Sequence, residues 1–193
     1  MADNQLGTYY LANHKESYEV QRNNNFEFIV HDLGKLLRAG ATGREANAYI
    51  SNGADVLKFS AVSSFSPSYQ LGVIEIKRGN NIMKAAGTPT FQSGQFVIND
   101  YIGADGKSVL LAWQALAYNV RTEKIGKMTD YKKDCSLIER TPDGEISKVW
   151  KIEGCWVSDV APGDFNVENS DKKTVTATIQ YDKAYLDYSQ MPQ

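Results

Sequence analysis

Between Thr174 and Tyr181 the chain alternates strictly: Val175, Ala177, Ile179 and Tyr181 are separated by Thr176, Thr178 and Gln180. A period of two puts the apolar set on one face and the polar set on the other, which is the pattern of a half-buried strand. Upstream, Trp150, Ile152, Gly154 and Trp156 alternate in the same way within EISKVWKIEGCWV. That segment is joined to DCSLIER by Thr141-Pro142-Asp143-Gly144. Pro142 pre-sets its backbone angle, Asp143 can bond locally and Gly144 accepts a positive φ, so the four residues predict a turn. Residues 134–188 thus supply three strands with an apolar face, and such a sheet needs a second layer to cover it.

The same reading extends along the chain. Residues 1–24 are polar and end in an asparagine run, which predicts an N-terminal arm. Its composition suits either a tail without fixed structure or an arm whose Tyr9, Tyr10 and Leu11 dock on a neighbouring subunit. Phe26, Phe28 and Val30 begin the first strand. Residues 32–53 carry four glycines and weak periodicity, and read as a long, insertion-like loop with one short helical turn. A second strand is expected over Val56–Val62, and another over Gln95–Asn99.

Residues 72–84 read as a hairpin turning at Gly79-Asn80, with Ile74 and Ile76 pointing inward and Lys77, Arg78 and Lys84 at the tip. Ser108–Asn119 reads as the one clear helix: Val109, Ala112, Trp113, Leu116 and Val120 share a face, and Asp105 or Ser108 caps the start. The sum is a mainly β chain, an antiparallel β-sandwich or barrel of about seven or eight strands with one flanking α-helix. Residues 25–193 form one domain, since 193 residues suffice for one sizeable core and no internal repeat is present.

Charge separates the function classes. Residues 1–129 carry 13 basic and 11 acidic side chains, and residues 130–193 carry 8 and 12. No basic field grips a phosphate backbone. The first twenty residues lack the pattern of a signal peptide, and no run of about 18 apolar residues exists, so no membrane insertion is expected and the chain is expected to be made in a cytoplasm. Cys135 and Cys155 are predicted to stay unpaired: with Arg140 opposite Glu145, the two sulfurs are offset by about 16 Å along the hairpin.

Gly103-Ala104-Asp105-Gly106-Lys107-Ser108 lies between a strand and a helix, where a phosphate-binding loop would sit, but its glycine spacing is two residues short. Asp159, Asp164, Glu168 and Asp171 make an acidic loop without the order of an EF-hand. His14 and His31 are the only histidines, one of them in the arm, which argues against a His-based metal site or a Cys-His nucleophile. Trp113, Trp150 and Trp156 lie on apolar faces and read as core. The residues present no catalytic, metal or cofactor site, so the chain is expected not to be an enzyme and to need no cofactor. A monomeric ligand-binding barrel remains compatible with the strands, and an enzyme using Gly106-Lys107-Ser108 is the remaining alternative.

In linear order, NNNFEFIV, the hairpin, QFVIND, the helix SVLLAWQALA, YKKDCSLIERTPDGEISKVWKIEGCWVSDVAPGDFN and TVTATIQYDKAYLDY resemble the tail tube proteins of contractile-tailed bacteriophages. Related tubes occur in phage-like bacteriocins and in type VI secretion. The resemblance covers Asn25 to Tyr188, and its most specific parts are Trp113-Gln114 in the helix and the turn-strand-GCWV unit.

The resemblance implies a β-barrel or sandwich protomer that forms homo-hexameric rings stacked into a helical tube, with the tail sheath protein outside. It implies tape measure protein and genomic DNA in the lumen, held without sequence-specific binding, and baseplate or tail initiator proteins at one end. The location implied is the virion tail, assembled in the host cytoplasm. A bacteriocin or secretion tube is the alternative. An isolated hairpin tip is ordinarily only a solvated turn. In a tube, Lys77, Arg78, Asn80, Asn81 and Lys84 become candidates for stacking contacts between rings.

Overall fold

The computed structural model of the chain describes residues 21–45, 47–167 and 171–190. The first strand, β1 (Phe26–Val30), buries Phe28 and Val30 on its inner face. The segment read as a long loop with one short helical turn contains a small antiparallel pair, β2 (Leu36–Leu37) and β3 (Tyr49–Ile50). It is tied into the core by Leu33, Leu36, Ala48 and Ile50, all buried.

Helix α1 (Gly53–Ser60) replaces the strand expected over Val56–Val62. Gly53, Val56, Leu57 and Ser60 are its buried residues, at i, i+3, i+4 and i+7. That is a helical stripe, visible only when the window opens at Gly53. A short strand, β4 (Ala61–Ser63), follows directly. Next come a long hairpin of β5 (Tyr69–Arg78) and β6 (Asn81–Phe91), then β7 (Gly94–Asn99).

Helix α2 (Gly106–Ala117) begins where expected, with the Asp105 side chain accepting from the Ser108 amide at 2.9 Å. It ends earlier than the apolar spacing predicted, so Val120 is outside the helix and 81% exposed. The chain leaves α2 through β8 (Tyr118–Asn119), β9 (Lys124–Ile125) and the single turn α3 (Met128–Tyr131). Trp113 is fully buried beneath, and its indole N–H donates to the Tyr131 carbonyl at 2.8 Å.

The remaining strands are β10 (Lys133–Arg140), β11 (Ile146–Ala161), β12 (Thr174–Gln180) and β13 (Lys183–Leu186). One antiparallel sheet runs β1-β10-β11-β12-β7-β4, and β13 adds to the free side of β11. It does not close: no pairing joins β1 to β4 among the described residues, so the barrel form is corrected to an open sheet folded back on itself.

The fold line lies in β11. Residues up to Cys155 pair with β10, Trp150–Glu153 pair with β13, and Trp156–Ala161 pair with β12. Gly154 stands at the junction with φ +70, a backbone that favours glycine. It also shifts the inward face from Ile152 to Cys155 and Val157, so the alternation of Trp150, Ile152, Gly154 and Trp156 breaks there. Trp150 and Trp156 are half-buried, and only Trp113 is fully enclosed. A strand that bends this way turns one sheet into two facing layers.

The cysteine expectation needs a correction in geometry. Arg140 pairs with Ile146, a register shift between Glu139 and Arg140 brings Cys135 opposite Ile152, and a second shift between Lys133 and Cys135 brings Lys133 opposite Cys155. With Gly154 turning Cys155 inward, the two thiols come within hydrogen-bond reach of each other in the core. Both are free. Burial, with the neighbouring Cys155 sulfur, pushes the Cys135 thiol well above its usual range.

Candidate assembly interface

The hairpin of β5 and β6 is built on a fixed root. Ser68 donates its amide to the Tyr181 hydroxyl at 3.0 Å, and that hydroxyl donates to the Ser68 carbonyl at 3.1 Å. Tyr181 stacks on Phe65 at 5.5 Å and meets Phe91 at 5.8 Å, while Tyr69 meets Phe91 at 5.6 Å. The Phe65 ring lies against Gly94, where a side chain would find no room. Burial pushes the Tyr181 hydroxyl above its usual range, against the opposing pull of the Ser68 amide.

Beyond that root the ribbon leaves the body. Of its residues 69–91, only Gly87 and Phe91 are even half-buried. Opposite Gly87 and Thr88, Gly72 sits in a register shift where the two backbones approach closely. At the tip Gly79 has φ +61, the first central position that a type II′ turn reserves for glycine.

Cross-strand pairing sorts the side chains onto two faces. Ile74 faces Ala85, Ile76 faces Met83 and Arg78 faces Asn81 on one side; Val73 faces Ala86, Glu75 faces Lys84 and Lys77 faces Ile82 on the other. One face is therefore apolar up to the tip, and the other carries the charge. Ile74, Ile76 and Met83 are 53%, 42% and 50% exposed, so they do not point into the core as the sequence reading had them.

Each stacking candidate is exposed on this ribbon, but they are not one cluster: Lys77 and Lys84 share the charged face, Arg78 and Asn81 the apolar one, and Asn80 sits in the turn. Tyr9, Tyr10 and Leu11 lie outside the described residues. Sequence reasoning missed Ile74, Ile76, Met83 and Ala85 as surface residues, although a hairpin this long with no adjoining strand partner was the available signal.

A second exposed apolar region lies at the end of α2. A groove of about 600 Å³ runs between α2, residues 118–121, Ala39-Gly40 and the far half of β11. Tyr118, Val120, Ile125 and Met128 crowd this end of the molecule at 47%, 81%, 83% and 65% exposure. Gln114 fixes the far wall by donating to the Ser158 carbonyl at 3.1 Å.

The other sequence candidates are structural. Asp105 occupies the α2 N-terminus, where a phosphate would bind, and also pairs with Arg38 at 3.0 Å. Burial pushes its carboxyl up, but the hydrogen bonds from Ser108 and Arg38 outweigh that and hold it below its usual value. His31 bonds Ser136 at 2.7 Å, and His14 is outside the described residues. Among the described residues, no three His, Cys, Asp or Glu side chains gather as metal ligands, and no helix is long and apolar enough to cross a membrane.

No family model matches the chain, and no curated protein matches it. Among solved structures it superposes with a TM-score of 0.60 on a chain of the PVC sheath–tube complex of an extracellular contractile injection system in its extended state. That match has 15% identity and covers 89% of this chain and 93% of the other. A chain of the PVC sheath/tube terminator in the extended state gives 0.60 at 15% identity, over 90% and 99%. A chain of the tube-terminating cap of the anti-feeding prophage gives 0.60 at 12%, over 91% and 96%. The fold expected from the resemblance to contractile-system tubes is thus the fold observed, along nearly the whole length of both partners.

Proposed function

We propose that this chain is the structural subunit of the inner tube of a contractile tail or injection device, forming hexameric rings that stack inside a sheath. The observation that carries the reading is the end-to-end fold match to chains of sheath–tube and tube-cap assemblies. The surface supports it, because a monomer gains nothing from a rooted ribbon with seven large apolar side chains in water. The charge balance supports passage of cargo: with 21 basic against 23 acidic side chains, a wall built from this chain does not retain nucleic acid by counterion release.

In the phage form of this reading the tube sits in a virion tail, with tape measure protein and genomic DNA in its lumen and initiator proteins at the baseplate. The second form, a tube of a contractile injection system, is favoured by the two PVC matches, which are to chains of an extracellular contractile injection system. In both forms the chain is a non-enzymatic building block of one domain, entered through an arm at 1–24.

The hairpin is the element that must engage a neighbour. The double variant Lys77→Glu/Arg78→Glu alters both of its faces at once. The expected result is an unchanged melting temperature of the isolated subunit with shortened tubes in reduced yield. Tubes of normal length and yield would remove the hairpin from the assembly contact.

A further inference from the structure

We infer that the apolar face of the hairpin seats in the α2 groove of a second copy of this chain, each copy donating one hairpin and accepting one. This rests on the tube reading and specifies which two surfaces meet. The hairpin cannot cover its own apolar face, since beyond the root β5 and β6 pack substantially only on each other. A two-stranded ribbon alone is marginal in water, so Ile74, Ile76 and Met83 need cover from elsewhere. Seven large apolar side chains stand exposed on the ribbon over residues 69–83, a patch of the kind that marks a protein–protein contact.

The groove has the complementary chemistry. Leu111, Ala115, Tyr118, Val120 and Trp156 line it, and small side chains at Ala115 and Ala117 beside Gly40 leave the space open. Its polar rim is already engaged within the chain. The Asn119 side chain accepts from the amides of Arg121 and Thr122, and Arg121 donates to the Gly40 carbonyl. An apolar strand face can therefore enter without stripping partners from buried polar groups.

Symmetry favours this pairing over hairpin against hairpin. A self-complementary contact closes as a dimer and leaves every groove empty. A contact between two different surfaces propagates, so every copy inside a stack has both its ribbon and its groove covered.

The test is photocrosslinking in assembled protein with p-benzoylphenylalanine at Ile76 or, in a second variant, at Met83, using mixed light and heavy isotope-labelled subunits. Intermolecular adducts at residues 111–121 or 156–158 are expected. Adducts confined to other surfaces, or hairpin-to-hairpin adducts, would overturn the groove assignment and leave the tube reading standing. Val120→Glu decides the case in which both probes block assembly: at least a tenfold loss of rod mass with unchanged subunit melting is expected, and normal rods would overturn the inference. Wild-type protein that forms no rings or rods under any condition would overturn the tube reading, and the inference with it.

Discussion

Phe28 of β1 and Phe96 of β7 meet with ring centroids 4.7 Å apart, although their strands lie in opposite halves of the folded sheet. Both side chains are fully buried, and Phe65 at 6.0 Å from Phe28 extends the contact towards the hairpin root. The pair is where the two layers grip each other. Phe28→Ala and Phe96→Ala should each cost ~3–5 kcal/mol, and a double-mutant cycle should return ~0.5–1.5 kcal/mol of coupling. Denaturant melts of the isolated subunit measure both. Additive effects would mean that the rings do not interact.

The bend in β11 makes a sharper demand on one backbone position. A Cβ on Gly154 would meet the Asp182 carboxylate, and φ +70 is itself unfavourable for any other residue. Gly154→Ala should lower stability by ~1–3 kcal/mol from the backbone conformation alone, with the collision adding to it. A circular dichroism melt unchanged from wild type would contradict the assignment of Gly154 as the point where the strand changes layers.

At the C-terminal end, Lys151 of β11 and Asp187, which follows β13, form an ion pair at 2.7 Å. Hydrogen bonds from Lys151 and then Ser189 hold the Asp187 carboxyl at about 2, below its usual 3.8. A carboxyl depressed on folding contributes stability that is present above its unfolded value and lost as pH falls through the folded one. The stability difference between wild type and Asp187→Asn should therefore be level near neutrality and shrink from about pH 4 towards pH 2. A difference that stays constant through that window would show that the pair is not formed in solution.

Asp105 caps α2 and anchors β2 to the helix through Arg38. Asp105→Ala should cost ~0.5–2 kcal/mol, and Asp105→Asn should recover most of it, because an amide oxygen still accepts from the Ser108 amide. Guanidinium melts of the two variants compare them directly. Equal losses would assign the effect to the Arg38 ion pair instead of the cap.

Strict alternation made β12 legible from residues alone, and the apolar spacing of Val109, Ala112 and Trp113 did the same for α2. Helix α1 was hidden because Val56 to Val62 is rich in residues that suit a strand, and its stripe needs Gly53 to be seen. The cysteines were misplaced because a register shift and a left-handed glycine cannot be counted from residue spacing. Ile74 and Ile76 were read as core since alternation marks a face that will be covered, without saying by which chain. That is why the candidate interface was only half legible: its charged tip was visible, and its apolar face resembled an interior.

Assembly itself is the most direct test of the central claim. Light scattering of the purified chain over a rising concentration series, with negative-stain electron microscopy of the same samples, should show hexameric rings or hollow rods, with added initiator protein shifting the onset to lower concentration. A strict monomer at every concentration, with or without the initiator, would contradict the account and leave an open β-fold with an uncovered hairpin in search of another partner.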